Sequence, residues 1–309
     1  MSLVSVRDIK NLLKRYKVHP LKRLGQNFLI DKGVIKKVIE SAQLSKNDII
    51  LEIGPGLGVL TQELAKRVKK VIAVEKDSKM CQILKEMLDC WNIKNVEIVN
   101  EDILKLDTRY KIQDTKYKVV GNLPFYLTAP VIRQFLETIE PRPQQMVLVV
   151  QKEVAQRICP PRRARSSGEA GAKMNLLAVS VQFYAKPEIE TFVSKKSFWP
   201  QPKVDGAILK IIPKKPITSL ELVGLFFEIV KAGFAHPRKQ LINNLSKEFL
   251  PTGRQGKLNR EKVNDWLLKN DIQPTQRAET LTVENWISLT KNFNFVVKPR
   301  SENLAASGK

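Results

Sequence analysis

Acidic residues are scarce beside basic ones: 31 Asp and Glu stand against 53 Lys and Arg over 309 residues, a formal net charge of +22. Folding does not need that excess, because self-repulsion works against compactness, so a polyanionic partner is the economical explanation. Nucleic acid is the first candidate and an acidic membrane surface the second. Histidine is nearly missing, with only His19 and His236, which excludes a His-rich metal cluster and a relay built on several histidines. Cys81, Cys90 and Cys159 are odd in number and lack C-x-x-C spacing, so they predict reduced thiols in a reducing compartment and no metal site. No apolar stretch approaches the length of a membrane span, and residues 1–30 hold no unbroken apolar core of a secretory signal. Internal repeats are lacking too. The expectation is a cytoplasmic protein, independent of membranes, long enough for a full α/β core and a second domain.

What is present starts with Asn122-Leu123-Pro124-Phe125, directly after the short apolar run Tyr117-Lys118-Val119-Val120-Gly121. An amide, a proline and an aromatic in that order can hold a planar amine for attack. The Asn122 side-chain oxygen and the Leu123 carbonyl can accept hydrogen bonds from an –NH₂ group. Pro124 has no N–H and pushes Leu123 into an extended conformation. Phe125 offers a face on which a base can stack.

Upstream stands a glycine-rich segment, Leu51-Glu52-Ile53-Gly54-Pro55-Gly56-Leu57-Gly58-Val59-Leu60-Thr61. Ile49 to Ile53 predict a buried strand, and Leu60, Leu64 and Val68 recur at helical spacing. Gly54, Gly56 and Gly58 therefore fall in a strand-to-helix turn, where glycine permits tight turning and close approach of backbone to a ligand. Glu75 ends the next apolar strand, where an acid can take ribose hydroxyls. Dinucleotide binding is the first alternative. The G-x-G-x-G spacing and the preceding acid, Glu52, favour S-adenosylmethionine over NAD.

Strands are predicted near 49–53, 71–75, 96–100, 117–120, 145–151, 187–193 and 205–212, with helices between them, for example 33–43, 130–139 and 173–184. Seven strands with intervening helices predict an α/β fold with a doubly wound, mostly parallel sheet, the last strand antiparallel. Ligands are expected at the carboxyl ends of the strands, where Gly54, Glu75, Asp102 and Asn122 all fall. Residues 1–24 form a basic N-terminal arm, in which Val6 to Tyr16 can be helical; a solvated tail and an RNA-contacting arm are equal readings. Residues 159–172 predict a mobile basic loop and Pro213 to Pro216 a linker. Beyond it the pattern is helical over Leu222–Ala235, Pro237–Phe249, Arg260–Lys269 and Val283–Phe293. The domain organisation is thus 1–24, 25–213, 217–300, and a flexible tail, 301–309.

Five segments then stand in a familiar order: Gly25-Gln26-Asn27-Phe28-Leu29, Leu51–Thr61, Asn122–Phe125, Phe198-Trp199-Pro200-Gln201-Pro202-Lys203-Val204-Asp205, and Arg238-Lys239-Gln240-Leu241-Ile242-Asn243-Asn244-Leu245. In these the chain resembles the ribosomal RNA small-subunit adenine dimethyltransferases over roughly residues 22–290. The resemblance implies a Rossmann-like seven-stranded S-adenosylmethionine-dependent methyltransferase domain with a small all-helical C-terminal domain. It also implies dimethylation of two adjacent adenines near the 3′ end of small-subunit (16S) RNA within a pre-30S particle, and a role in subunit assembly. Cofactor contacts are implied at Asn27, Leu29, Gly54, Gly56, Glu75, Asp102 and Asn122, with Glu75 suited to the ribose diol and Asp102 to the adenine amine. Asn122, Leu123, Pro124 and Phe125 form the catalytic segment. Phe125 and Phe198 are the two candidate walls for the target base, and Arg238 and Lys239 are the candidate phosphate contacts. No metal is expected, and the chain is expected to act as a monomer.

The chain also departs from its relatives. Phe125 stands where the family often has Tyr, Met174-Asn175-Leu176-Leu177-Ala178 replaces a Tyr-Gly-x-Leu-Ser segment, and Pro237-Arg238-Lys239-Gln240-Leu241 replaces Arg-Arg-Lys-Thr-Leu. The nearest competitor is the macrolide-resistance type of large-subunit RNA adenine methyltransferase, disfavoured by the Arg238–Leu245 segment and the helical C-terminal region. Leu123 disfavours DNA adenine and protein glutamine methyltransferases, which carry a proline there. A non-catalytic RNA-binding assembly factor or a relative of mitochondrial transcription factors belongs to another class and would have lost cofactor residues.

Overall fold

Strand order follows from where the apolar runs lie and how the chain returns between them. The computed structural model describes residues 3–21, 25–106, 116–159, 174–214, 220–248 and 259–293. All of the predicted loop at 159–172 beyond Cys159, the tail at 301–309 and residues 215–219 lie outside them. By its contacts the chain divides into two compact units, Met1–Cys159 with Tyr184–Lys214, and Pro160–Phe183 with Lys215–Lys309.

The first unit is built on a seven-stranded sheet. Its strands are β2 (Ile49–Ile53), β3 (Lys70–Glu75), β4 (Val96–Asn100), β5 (Tyr117–Asn122), β6 (Met146–Gln151), β7 (Ala185–Val193) and β9 (Gly206–Pro213). They lie in the order β4-β3-β2-β5-β6-β9-β7. β2 to β6 are mutually parallel, while β9 runs antiparallel to both β6 and β7. The central strands read almost wholly apolar because helices cover both faces of a parallel sheet. The chain leaves β2 outward through β3 and β4, then returns to pair β5 on the other side of β2. That reversal opens a crevice at the carboxyl ends of β2 and β5. The α/β class, the seven strands and the antiparallel last strand match the expectation from sequence.

Register brings the predicted positions to one edge. Ile53 is paired with both Val74 and Gly121, and Glu75 with Asn100. Gly54, Glu75 and Asn122 therefore close three adjacent strands, with Asp102 two residues past the end of β4. Gly121 permits the central pairing: a Cβ there would stand 2.8 Å from the Ile53 carbonyl oxygen, closer than real Cβ atoms come.

Two short strands, β1 (Phe28–Leu29) and β8 (Phe198–Trp199), pair antiparallel with Leu29 opposite Phe198. They join two sequence segments that lie 170 residues apart in the chain. Asp31 locks the join: one carboxylate oxygen caps the helix Lys32–Ser41 through Gly33 and Val34, and the other accepts from the Ser197 hydroxyl at 2.9 Å. The basic start is no solvated tail over residues 3–21. The helix Val6–Arg15 buries Ile9, Leu12 and Leu13 against Met80, Ile83 and Met87 of the helix Ser78–Cys90 and turns its lysines outward.

The second unit contains the helices Leu220–Phe234, Leu241–Glu248, Arg260–Leu268 and Val283–Lys291 and most of Leu176–Tyr184. Trp286, fully buried, packs on Phe234 and on Gly233, where a Cβ would lie 2.4 Å from the indole. The predicted helix from Pro237 starts only at Leu241. The buried Asn244 side chain donates to the carbonyls of Gly233 and His236, and the Lys239 N–H donates to the His236 carbonyl. Those bonds stabilise a turn over 236–240 where the sequence suggests that a new helix has begun at Pro237. The predicted helix at 130–139 also differs: it begins at Thr128 and widens to a π turn over Gln134–Thr138.

Candidate active site

The glycine turn after β2 shapes the site first. Gly54, Gly56 and Gly58 have φ of 68°, 54° and 89°, the left-handed region that side chains with a Cβ avoid. Gly58 also abuts the next helix, since a Cβ there would fall 2.5 Å from Leu84 Cδ1. The turn exposes backbone along one wall of a pocket. Its other walls come from Asn27 to Leu29, from Glu75 and Lys76 after β3, from Glu101 to Ile103 after β4, and from Asn122 and Pro124 after β5. The predicted cofactor residues Asn27, Leu29, Gly54, Gly56, Glu75, Asp102 and Asn122 thus all line one cavity.

Carboxylates dominate the polar lining. Glu75 is 9% exposed; its Oε2 accepts from the Gly56 N–H at 3.2 Å and its Oε1 from the Asp77 N–H at 2.9 Å. Burial raises its pKa, and these N–H groups oppose the rise. Asp102 has the opposite character: the Lys76 ammonium at 2.8 Å holds its carboxyl below the usual range, and the Leu104 N–H assists. Glu52, 1% exposed on the pocket floor, is pushed up to about 8 by burial, with Thr61 pulling the other way. Its Oε2 has no hydrogen-bond partner among the described residues.

A second, smaller cavity lies behind Asn122. It is lined by Leu123, Phe125, Val149, Phe198, Pro202 and Val204, and it shares Gly25, Asn27 and Asn122 with the first. Phe125 and Phe198 therefore do line one cavity, as the sequence leads one to expect. Phe198 is only 6% exposed and also packs in the core with Leu29, Val149 and Ile208. The shared wall is tightly built. The Asn122 amide donates through Nδ2 to the Asn27 carbonyl at 2.8 Å, which leaves Oδ1 as its acceptor. Asn27 Nδ2 donates in turn to the Gly25 carbonyl, and a Cβ on Gly25 would stand 3.1 Å from Pro124 Cβ. The Leu123 N–H is spent on the Val149 carbonyl. Pro124, at φ −56° and ψ 142°, turns the chain into the single helical turn Phe125–Leu127.

Arg238 and Lys239 are exposed on the 236–240 turn of the second unit, whereas every other predicted site residue belongs to the first. Sequence reasoning passed over Lys76 and Tyr126, which line the first pocket, and used Glu52 only as a motif marker. Tyr126 had a signal in its place directly after Phe125. The Lys76–Asp102 pair had none, because spacing along a chain does not report which side chains meet. Among the described residues no cluster of three His, Cys, Asp or Glu side chains is placed to hold a metal, and no helix is long and apolar enough to cross a membrane.

A family model described as ribosomal RNA adenine dimethylase matches residues 19–289. The ribosomal RNA small subunit methyltransferase A of Alkaliphilus oremlandii is 37% identical over 295 residues, covering 94% of this chain and 97% of its own. Among solved structures, a dimethyladenosine transferase from Plasmodium falciparum superposes with a TM-score of 0.68 at 25% identity, over 86% of this chain and 97% of that one. The 23S rRNA methyltransferase ErmE superposes with a TM-score of 0.67, also at 25% identity, over 87% and 100%.

Proposed function

The chain belongs to the ribosomal RNA adenine dimethylase family, and from that membership, together with two cavities that meet at Asn122, we propose that it dimethylates the exocyclic amine of two adjacent adenosines near the 3′ end of small-subunit (16S) rRNA. Its methyl donor is S-adenosylmethionine, its substrate RNA within a pre-30S particle, and it acts as a cytoplasmic monomer. The observation that carries this reading is the shared wall: Asn122 lines both a carboxylate-rich pocket and an aromatic-walled cavity.

The first pocket fits the cofactor chemically. Glu52, Glu75, Glu101 and Asp102 line it against one cation, Lys76, which suits a cationic nucleoside and repels the pyrophosphate of NAD. Glu75 has lone pairs beyond those used by Gly56 and Asp77 and suits a ribose diol. Asp102 suits an adenine amine. The unpartnered Oε2 of Glu52 faces burial without compensation, which a positively charged group would relieve. The bound sulfonium supplies an electrophilic methyl group.

The protein then has to present a poor nucleophile, an amine whose lone pair is delocalised into the purine ring. Asn122 Oδ1 and the Leu123 carbonyl accept its two hydrogens, which favours a pyramidal, more nucleophilic nitrogen. The bond from Asn122 Nδ2 to Asn27 fixes which end of the amide faces the substrate. Phe125 and Phe198 offset part of the few kcal/mol lost when a base leaves its stack. Holding amine and methyl in line can lower the barrier by roughly 7–11 kcal/mol in favourable systems. No residue has to act as a nucleophile.

The small-subunit substrate is favoured over the large-subunit one because the 37% relative carries a small-subunit name, whereas the ErmE likeness stands at 25%. A non-catalytic assembly factor is disfavoured by the complete set Gly54, Glu75, Asp102 and Asn122 at one sheet edge. Single-turnover methyl transfer with Asn122→Ala tests the reading. The expected loss is about 10²-fold or more, the size seen when one preorganised hydrogen-bonding group is removed from an active site, with a thermal melt that stays cooperative and falls only by the cost of one lost hydrogen bond. Full turnover by that variant contradicts the role given to Asn122.

A further inference from the structure

A third concavity opens beside the cofactor pocket, with Lys76 and Tyr126 in the lining of both. Its remaining lining includes Lys17, His19 and Lys79, and one acid, Asp77. We propose that this groove is a binding subsite for substrate RNA, taking the phosphodiester next to the target adenosine and stacking the adjoining nucleotide on Tyr126. The proposal rests on the RNA-methylating function above.

The groove is built. Residues 17–21 are held in place by local bonds: the Val18 N–H donates to the Leu13 carbonyl, Val18 is buried, and Lys17 takes a φ of 51° to reverse the chain after the helix Val6–Arg15. Gln26 then ties this wall to the floor, accepting from the Leu21 N–H at 2.9 Å and donating to Asp77 Oδ2 at 3.1 Å. Asp77 Oδ1 caps the helix Ser78–Cys90 through the Lys79 N–H. Both oxygens of Asp77, the one acid lining the groove among the described residues, are thus engaged. Among the described residues no carboxylate pairs with Lys17 or Lys79, and both side chains are exposed. Uncompensated ammonium groups around an open groove suit a phosphodiester.

Tyr126 gives the groove its second component and its direction. It is 49% exposed and borders two concavities. Phe125, the preceding residue on the same turn, lines the base cavity instead. Consecutive Cα atoms are about 3.8 Å apart. A neighbouring nucleotide of a strand whose target base lies beside Phe125 is therefore within reach of Tyr126, and Lys17 and Lys79 line the same groove. An exposed aromatic beside cations is the arrangement used to hold single-stranded nucleic acid without reading its sequence.

The test uses full-length protein, S-adenosylmethionine and under-methylated small ribosomal subunits. It compares the double variant Lys17→Gln/Lys79→Gln with Lys69→Gln/Lys94→Gln, which removes the same charge at the opposite, amino-terminal end of β3 and β4. Wild-type transfer is measured first; its failure would sink the functional reading itself. Given transfer, the groove variant should raise KM several-fold at constant kcat and constant cofactor affinity. It should also make the dependence of log K on log salt shallower by roughly 1 to 2, close to one unit per lost phosphate contact. The control variant should move neither value by as much. Equal effects of the two variants, or a kcat loss with KM unchanged, would overturn the proposal. So would a groove variant that methylates normally and has lost only binding to an acidic protein partner.

Discussion

At the residue scale, the site separates carboxylates by environment. Lys76 keeps Asp102 ionised, while burial keeps a proton on Glu52 at neutral pH, its pKa pushed up to about 8. The folded chain therefore holds a proton that the unfolded chain has shed above about pH 4.5. Stability from this group is highest below that value and declines as the pH rises toward 8. Glu52→Gln keeps the shape and removes the ionisation. Urea denaturation should find the variant about equal to the wild type or weaker at pH 5 and more stable by a few kcal/mol at pH 8; parallel pH curves would contradict the assignment. Binding of a cationic cofactor should draw the same proton off. Calorimetry in buffers of different ionisation heat at pH 7 should then register proton release on S-adenosylmethionine binding, and Glu52→Gln should reduce it. The sequence made Glu52 visible as a motif acid, yet nothing local reveals that it is 1% exposed with an unpartnered oxygen.

At the element scale, adjacent strand ends bring the chemistry together. The positions of Gly54, Glu75 and Asn122 were legible because each closes an apolar run short enough to be a buried strand, and that of Asp102 because it follows the short strand-like run Val96–Asn100. The pairing of β1 with β8 was not legible, since two-residue strands carry no periodicity; only the Ser197–Asp31 bond and the register show how Phe198 reaches the base cavity. The late start of the helix at Leu241 escaped for a related reason, because a buried side chain, Asn244, decides it. Glycine shape is the testable consequence at this scale. Gly121→Ala would press a Cβ onto the Ile53 carbonyl, and Gly58→Ala would combine a φ of 89° with a 2.5 Å approach to Leu84. Each should destabilise the first unit by about 1–3 kcal/mol in chemical denaturation. Gly224→Ala, with open space around its Cβ and a helical position, should be neutral or stabilising by up to about 1 kcal/mol. Equal behaviour of the three would refute the packing argument.

At the scale of the whole molecule, a charge of +22 calls for a polyanion, and an acid-lined pocket within so basic a chain separates two tasks. On the proposed reading the carboxylates receive a small cation and the exposed lysines and arginines meet RNA. Small-subunit binding should weaken steeply with salt while cofactor binding changes little. Titrations at several ionic strengths check this, and equal salt slopes for both ligands would contradict it. The most direct measurement is transfer of labelled methyl from S-adenosylmethionine to under-methylated small ribosomal subunits, with large subunits and naked DNA in parallel and the product nucleoside identified by mass. The account predicts dimethyladenosine in small-subunit RNA alone; label in large-subunit RNA or DNA, or cofactor binding with no transfer to any of the three, would contradict it.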